Sequence, residues 1–390
     1  MRRAAEWVEA LHRQGGSSPD LVAAAELQSD VIYLNSGDPD RIAPPNVLEA
    51  AAAALRAGKT RYQRGPGLPE LRRAIAAKHL RENAFRVDPD RVSITNGSCE
   101  GLAVVMRTLL DPGDEVLTTD PYYGGHLSAI RYAGGRAVFV PTAGETGWEP
   151  DPAEIARRIT DRTRAFVFAS PGNPTGAVYR PELLAELLKL ARRHRFLLIS
   201  DELFERYVYA GAVHTSVASL TAADERVVVV HGFSKSYCMT GWRLGWVTGP
   251  EWFMRHFHRV RYSASMAANT FAQHGALEAL AESSSDYYRE VYQDYGARRE
   301  LFVAAWERAG LPQRPGPGAF VMMIDVRGLG LAAEELAGIM VERARTVMWP
   351  GTRFGGCGEG YLRVGLVVPQ GRLRTFATRL GEVVRAGELL

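Results

Sequence analysis

The chain has 390 residues, of which 46% are apolar and 23% charged, with a formal net charge of +3. That composition is ordinary for a globular protein and is long enough for one large domain plus a smaller one. The charge is too slight, and the arginines too scattered, to indicate a nucleic-acid partner. No apolar run approaches the ~18 residues that cross a bilayer, so no membrane partner is expected. The three cysteines, Cys99, Cys238 and Cys357, are an odd set without metal-ligand spacing. They point to a reducing, cytoplasmic setting and to no metal.

At the N-terminus, "MRRAAEWVEALHRQGG" carries Glu6, Glu9 and His12 and so lacks an apolar signal core, while Trp7, Val8 and Leu11 predict one apolar helical face. Short β-branched runs then alternate with alanine- and leucine-rich stretches. The runs are "RVSIT" (91–95), "DEVLTT" (114–119), "RAVFV" (136–140), "RAFVFAS" (164–170), "RFLLIS" (195–200) and "RVVVVHG" (226–232). Between two of them, "ELLAELLKLARRH" (182–194) has leucines at helical spacing. Continuous apolarity marks strands covered on both faces, and the alternation predicts an α/β domain on a mostly parallel sheet with helices on both sides. After about residue 285 the texture changes to a long polar, aromatic-rich helix, a strand "AFVMMIDV", a helix and a last strand "YLRVGLVV". These predict a smaller α+β domain.

Open parallel sheets bind ligands at the carboxyl ends of their strands. "RVSIT" runs into Asn96, Gly97, Ser98 and Cys99 and then a helix, a turn that aims free N–H groups at an anion. "RAFVFAS" ends in "PGNPTG", holding Asn173; "RFLLIS" ends at Asp201; and "RVVVVHG" leads to Ser234 and Lys235, with Arg243 eight residues on. An anion cradle, an amide, a carboxylate, a lysine and an arginine thus converge on one rim. A lysine partly desolvated beside another cation has a lowered pKa and can attack a carbonyl. Pyridoxal phosphate demands this set: a lysine for its Schiff base, a phosphate cradle and an acid for its pyridine nitrogen. Lys235 is the expected anchor and proton shuttle, Asp201 the pyridine partner and Asn173 the donor to the ring's O3′. Ser98, Cys99, Ser234 and Arg243 are expected on the phosphate.

With these motifs in order from about residue 30 to the C-terminus, the chain resembles the fold type I pyridoxal-phosphate enzymes of the class I/II aminotransferase group. The resemblance implies an aspartate-aminotransferase-like fold. It further implies a segment 1–45 joining the small domain, a large cofactor-binding domain over 46–289 and a small domain over 290–390. "NSGDPDRIAP" matches the segment that closes over substrate, with Gly37 near the carboxylate. "GKTRYQRGPGLPELR" matches the motif whose tyrosine, Tyr62, reaches the phosphate of the other subunit in a homodimer. In "DPYYGGH", Tyr123 falls where the family stacks an aromatic on the cofactor and His126 where some members place a histidine against the aspartate. In "YLRVGLVVP", Arg363 falls at the position that binds the substrate α-carboxylate. The implied activity is amino-group exchange between an L-amino acid and a 2-oxo acid.

One position departs from the pattern. Three residues after Asp201 the family usually has a tyrosine that also bonds O3′; here it is Phe204. That raises an alternative of lyase, replacement or oxidase chemistry on an amino acid, unless Tyr207 or Tyr237 supplies the missing hydroxyl. A third reading, a binding protein on a retired catalytic fold, conflicts with the intact lysine, aspartate, asparagine and arginines. For a side-chain carboxylate on the substrate, Arg41, Arg64, Arg259 and Arg261 are candidates; Asp38 and Asp40 would favour a cationic side chain instead.

Overall fold

The computed structural model describes residues 18–26, 29–63, 65–221, 226–311 and 313–387. The expected apolar face at Trp7, Val8 and Leu11 lies outside the described residues, as does Arg64. In chain order the strands are β1 (Ile32–Tyr33), β2 (Val92–Thr95), β3 (Glu115–Asp120), β4 (Arg136–Pro141), β5 (Thr163–Ala169), β6 (Leu197–Asp201), β7 (Val227–Gly232) and β8 (Gly245–Thr248). They continue with β9 (Val321–Asp325), β10 (Thr346–Val347), β11 (Trp349–Pro350) and β12 (Tyr361–Gly365).

Strands β2 to β8 form one sheet in the order β2-β8-β7-β6-β5-β3-β4. The pairs from β4 through β7 are parallel. β8 runs antiparallel to both its neighbours, β2 and β7. All six strands expected in this region are present; β8 was not legible as one, being only "GWVT" directly behind a turn.

The reason the runs are continuously apolar is visible in β7. Val227 and Val229 join one core, with helices Pro69–Asn83 and Pro181–His194, while Val228 and Val230 join another, with helices Ser98–Leu109 and Glu251–Ser265. Side chains alternate across a strand, so a strand covered on both sides has no polar position to spare. Each fully buried valine contributes on the order of 1.5–3 kcal/mol.

The C-terminal part builds an antiparallel sheet, β11-β12-β9, beside the parallel pair β1-β10. Ile32 and Leu34 share its core with Phe302, Phe320, Leu362 and Phe376, so the described part of the N-terminal segment packs with the C-terminal region. The helix Ser285–Arg308 passes through the expected boundary at 289/290: Tyr288 packs in the sheet core, whereas Val291, Tyr295 and Phe302 pack in the C-terminal one.

Candidate active site

The turn after β2 is shaped by close approach. Gly97 has φ 84° and precedes the helix Ser98–Leu109. A Cβ on it would lie 2.5 Å from Arg243 Nη2, and a Cβ on Gly245 would lie 2.8 Å from the Gly97 carbonyl carbon and the Ser98 nitrogen. Only glycines let this turn lie against the arginine and the first residue of β8. Ser98 and Ser234 are buried, and Cys99 is exposed with Sγ 3.9 Å from the Tyr123 hydroxyl. Arg243, solvent-exposed, donates through Nη1 to the Thr240 carbonyl at 2.9 Å.

The strand ends deliver the remaining groups. Asp201, the last residue of β6, is buried; Oδ1 accepts from the Leu203 amide at 3.2 Å and Oδ2 meets His126 Nε2 at 3.2 Å. His126 is buried on the helix Gly124–Tyr132, edge-on to the Tyr123 ring at 5.3 Å. Asn173 sits in the turn after β5, its Oδ1 buried without a partner. After β7, Lys235 Nζ donates to the Gly37 carbonyl at 2.7 Å. Burial lowers the Lys235 pKa, Arg363 and Arg243 push the same way, and Asp38 opposes them.

From the C-terminal region, β12 contributes Arg363, which is 4% exposed and donates through Nη1 to the Asn35 carbonyl at 2.8 Å. Burial lowers its pKa to about 10, and the nearby Arg353 adds to the shift. Gly37 passes so close that a Cβ there would stand 3.0 Å from Arg363 Nη2.

These groups meet in a cavity of about 460 Å³ whose walls include Gly37, Tyr123, Asn173, Asp201, Phe204, Lys235 and Arg363. Gly97, Ser98, Cys99, Ser234 and Arg243 do not line it; they flank it, joined through the Cys99–Tyr123 contact and the field of Arg243 on Lys235. Tyr62 stands apart, 76% exposed.

Phe204 lines the cavity, and neither proposed substitute hydroxyl does. Tyr207 donates to the Lys235 carbonyl at 2.9 Å, and the Tyr237 hydroxyl accepts from Arg206 Nη2 at 3.1 Å. Both tyrosines are fully buried, so the lost hydroxyl is not replaced from either position.

The candidates for a side-chain carboxylate fare differently. Arg41 pairs with Asp294 at 2.7 Å, and buried Arg261 donates to the carbonyls of Gly65 and Met266, each at 3.1 Å. Arg259 is exposed on the helix Glu251–Ser265. None of these three lines the cavity; Arg353, with Trp349 and Phe354, does. The only sequence signal for Arg353 was a lone arginine in the glycine-rich "PGTRFGGCG". Asp40 is engaged by the Tyr295 hydroxyl and Arg298 Nη1, each at 2.8 Å, while Asp38 is on the cavity wall.

Residues 29–380 match the family model for aminotransferase class I and II. The chain is 36% identical to a probable aspartate/prephenate aminotransferase of Thermus aquaticus, covering 91% of this chain and 92% of that one. It is 34% identical to an aromatic-amino-acid aminotransferase 2 of Thermococcus litoralis, covering 92% and 93%. Its structure superposes on that of an aromatic aminotransferase from Pyrococcus horikoshii with a TM-score of 0.89 at 35% identity, covering 95% of this chain and 100% of the other. These names favour transamination over the lyase, replacement or oxidase alternative. The chain therefore belongs to the class I and II aminotransferases and is an enzyme of that kind, dependent on pyridoxal phosphate.

Proposed function

We propose that the enzyme exchanges an amino group between an L-amino acid and a 2-oxo acid in the cavity walled by Lys235, Asp201, Asn173 and Arg363. The observation that carries this reading is the meeting of an amine of lowered pKa, a buried carboxylate and a buried guanidinium in one cavity.

The residues present fit the cofactor. Asp201 is buried with a backbone N–H and His126 as its partners, a setting that favours one more cationic N–H. Asn173 is on the cavity wall with an amide whose N–H groups can donate, and Gly97 leaves room beside Arg243. Asp201 would hold the pyridine nitrogen, Asn173 the O3′ side and Tyr123 the ring face. Gly97, Ser98, Cys99, Ser234 and Arg243 would hold the phosphate. Bound there, pyridoxal phosphate supplies a carbonyl that condenses with amines and a ring that accepts electrons from the substrate α-carbon.

The chain's own groups do the rest. Arg363 takes the α-carboxylate as a fork and fixes the direction of the α-hydrogen. Lys235, with its pKa brought down by burial, removes that proton and returns it at an adjacent atom. His126 keeps Asp201 oriented, and the partly buried Tyr123 ring stands edge-on against His126 on that side.

Exposed Tyr62 supports a homodimer in which this hydroxyl completes the partner subunit's phosphate site. Tyr62→Phe should then weaken cofactor retention by about 1–2 kcal/mol, read by equilibrium dialysis. Unchanged retention, or a monomer in sedimentation, would remove this role. The packing of Ile32 and Leu34 supports the division into a segment 1–45 joined to a small domain 290–390 and a large domain 46–289. Three free thiols support a reducing, cytoplasmic location.

The test is a half-reaction: cofactor-loaded enzyme with one L-amino acid and no oxo acid. One 2-oxo acid should be released per subunit, with the amino group retained until a second 2-oxo acid is added. Catalytic release of ammonia instead would show that Phe204 marks a different reaction.

A further inference from the structure

Arg353 is the cation in the cavity for which the reading above has no use. It belongs to the turn Gly351–Phe354, and its guanidinium lies over the Trp349 ring, 4.1 Å from the centroid. It makes no hydrogen bond or ion pair among the described residues, and Nη1 is buried without a partner. A guanidinium carries five donors and stays charged, so burying one end without an acceptor is costly unless a ligand supplies one.

Its position relative to Arg363 follows from the sheet. Trp349 on β11 is the direct partner of Arg363 on β12 in an antiparallel ladder. Side chains of such a pair stand on the same face. The Trp349 ring therefore carries Arg353 beside the residue assigned to the α-carboxylate.

The turn is also fixed from the sheet side. The Tyr122 amide donates to the Phe354 carbonyl at 2.7 Å, and the amides of Gly356 and Cys357 donate to the Asp120 carboxylate, each at 3.1 Å. Gly355 has φ 128°, and a Cβ there would fall 2.0 Å from Asp120 Oδ1. A charged group held on both sides of the cavity is a preorganised one, which is what recognition of a small anion requires.

Building on the aminotransferase reading, we infer that Arg353 binds a second carboxylate, at the far end of the substrate side chain, and makes the enzyme selective for 2-amino dicarboxylic acids and their 2-oxo partners. Two guanidiniums in one cavity repel each other and are both satisfied by a ligand with two acidic ends. Asp38, on the same wall, disfavours a side-chain acid at its own position and leaves Arg353 as the favourable one.

The experiment measures kcat/KM on the cofactor-loaded enzyme for L-aspartate, L-glutamate, L-alanine, L-leucine and L-phenylalanine, in the natural protein and in R353Q and R353K. The better dicarboxylic donor should lead L-alanine by about 100-fold or more. In R353Q that ratio should fall by about 100-fold, and R353K should restore part of it. Succinate, which has two carboxylates and no amino group, should bind the loaded natural enzyme and lose about 100-fold in R353Q by calorimetric titration. Loosening of the turn would lower all donors together and leave the ratio in place, which would overturn the inference. So would a preference for L-leucine or L-phenylalanine that R353Q does not alter. An enzyme that converts no amino acid would overturn the transaminase reading as well, and the two failures are distinct.

Discussion

Replacing Lys235 by alanine lowers kcat by about 10⁴-fold or more, whichever amino acid is the donor. The side chain stands on a cavity wall, where its amine bonds a single backbone carbonyl, that of Gly37. Its removal therefore takes away the amine proposed to attack and to carry the proton, without opening a core. The loop keeps its place through atoms the substitution does not touch: the Lys235 carbonyl still accepts from Tyr207. Single-turnover kinetics should show the proton step lost, and thermal unfolding should show the fold kept. Turnover within tenfold of the natural enzyme would mean that another group moves the proton, and the assignment of the whole cavity would fall with it.

The second large effect is on stability. Behind the segment that carries Asp201 lies a buried charged network. Lys78 pairs with Glu205 and donates to Asn83 Oδ1 at 2.6 Å, and Asn83 donates to Glu205 Oε2 at 2.7 Å. His231 Nε2 lies 3.3 Å from Glu205 and 3.6 Å from Glu202. Trp246 Nε1 donates to His79 Nε2 at 2.9 Å. Glu205→Gln leaves Lys78 and His231 without their main counter-charge and should cost about 3–5 kcal/mol.

The pH dependence has a definite shape. Burial alone would raise Glu205, but His231 and Lys78 overcome it and hold its pKa well below the ordinary 4.5. That stabilisation is present above pH 4.5 and is lost on acidification. Burial alone would lower His231, but Glu205, together with hydrogen bonds to Glu202 and Glu205, raises it above 6.5. Its contribution is complete below pH 6.5 and is lost as the pH rises through the raised value. His79 is pushed well below 6.5, first by burial and then by Lys78, so it resists protonation and destabilises the fold as the pH falls under 6.5. Stability should peak near the ordinary histidine pKa and decline on both sides, by at most about 1.4 kcal/mol per pH unit for each proton. In Glu205→Gln the alkaline decline should flatten, because Glu205 is the chief cause of the raised His231 pKa. Denaturant titrations from pH 5 to 9 would show it; an alkaline limb identical in both proteins would refute it.

Much of this molecule could be read from its residues, and what escaped has physical reasons. Strand ends were legible because a strand covered on both faces is a continuous apolar run, and the polar residues that follow it mark the rim. Asn173, Asp201 and Lys235 were found in this way. Arg353 was not, because the strand before its turn is two residues long and the turn's neighbours are glycines. The charged network was invisible for a different reason. Lys78, His79 and Asn83 lie in "PELRRAIAAKHLREN", where polar residues read as the wet face of a helix. Their counter-charges arrive more than a hundred residues later, from Glu202 and Glu205. Nothing local distinguishes a lysine facing water from one facing a distant glutamate. Phe204 shows the reverse case: the missing hydroxyl was plain in the sequence, but only packing could tell that Tyr207 and Tyr237 were already engaged.

The reversed direction of β8 has a consequence for how the enzyme tolerates change. A sheet of parallel strands offers its rim only chain exits; one strand run backwards adds an entrance. Lys235 leaves the sheet and Arg243 re-enters it on a single excursion whose ends are tied, the Phe233 amide donating to the Leu244 carbonyl at 3.0 Å. The residues proposed as the cofactor's covalent anchor and its phosphate clamp are therefore two points on one closed span. Inserting or deleting a residue anywhere along it moves both at once, whereas Asn173 and Asp201 arrive separately, in the turn after β5 and at the end of β6. For anyone redesigning this enzyme, the length of that span is constrained at both ends.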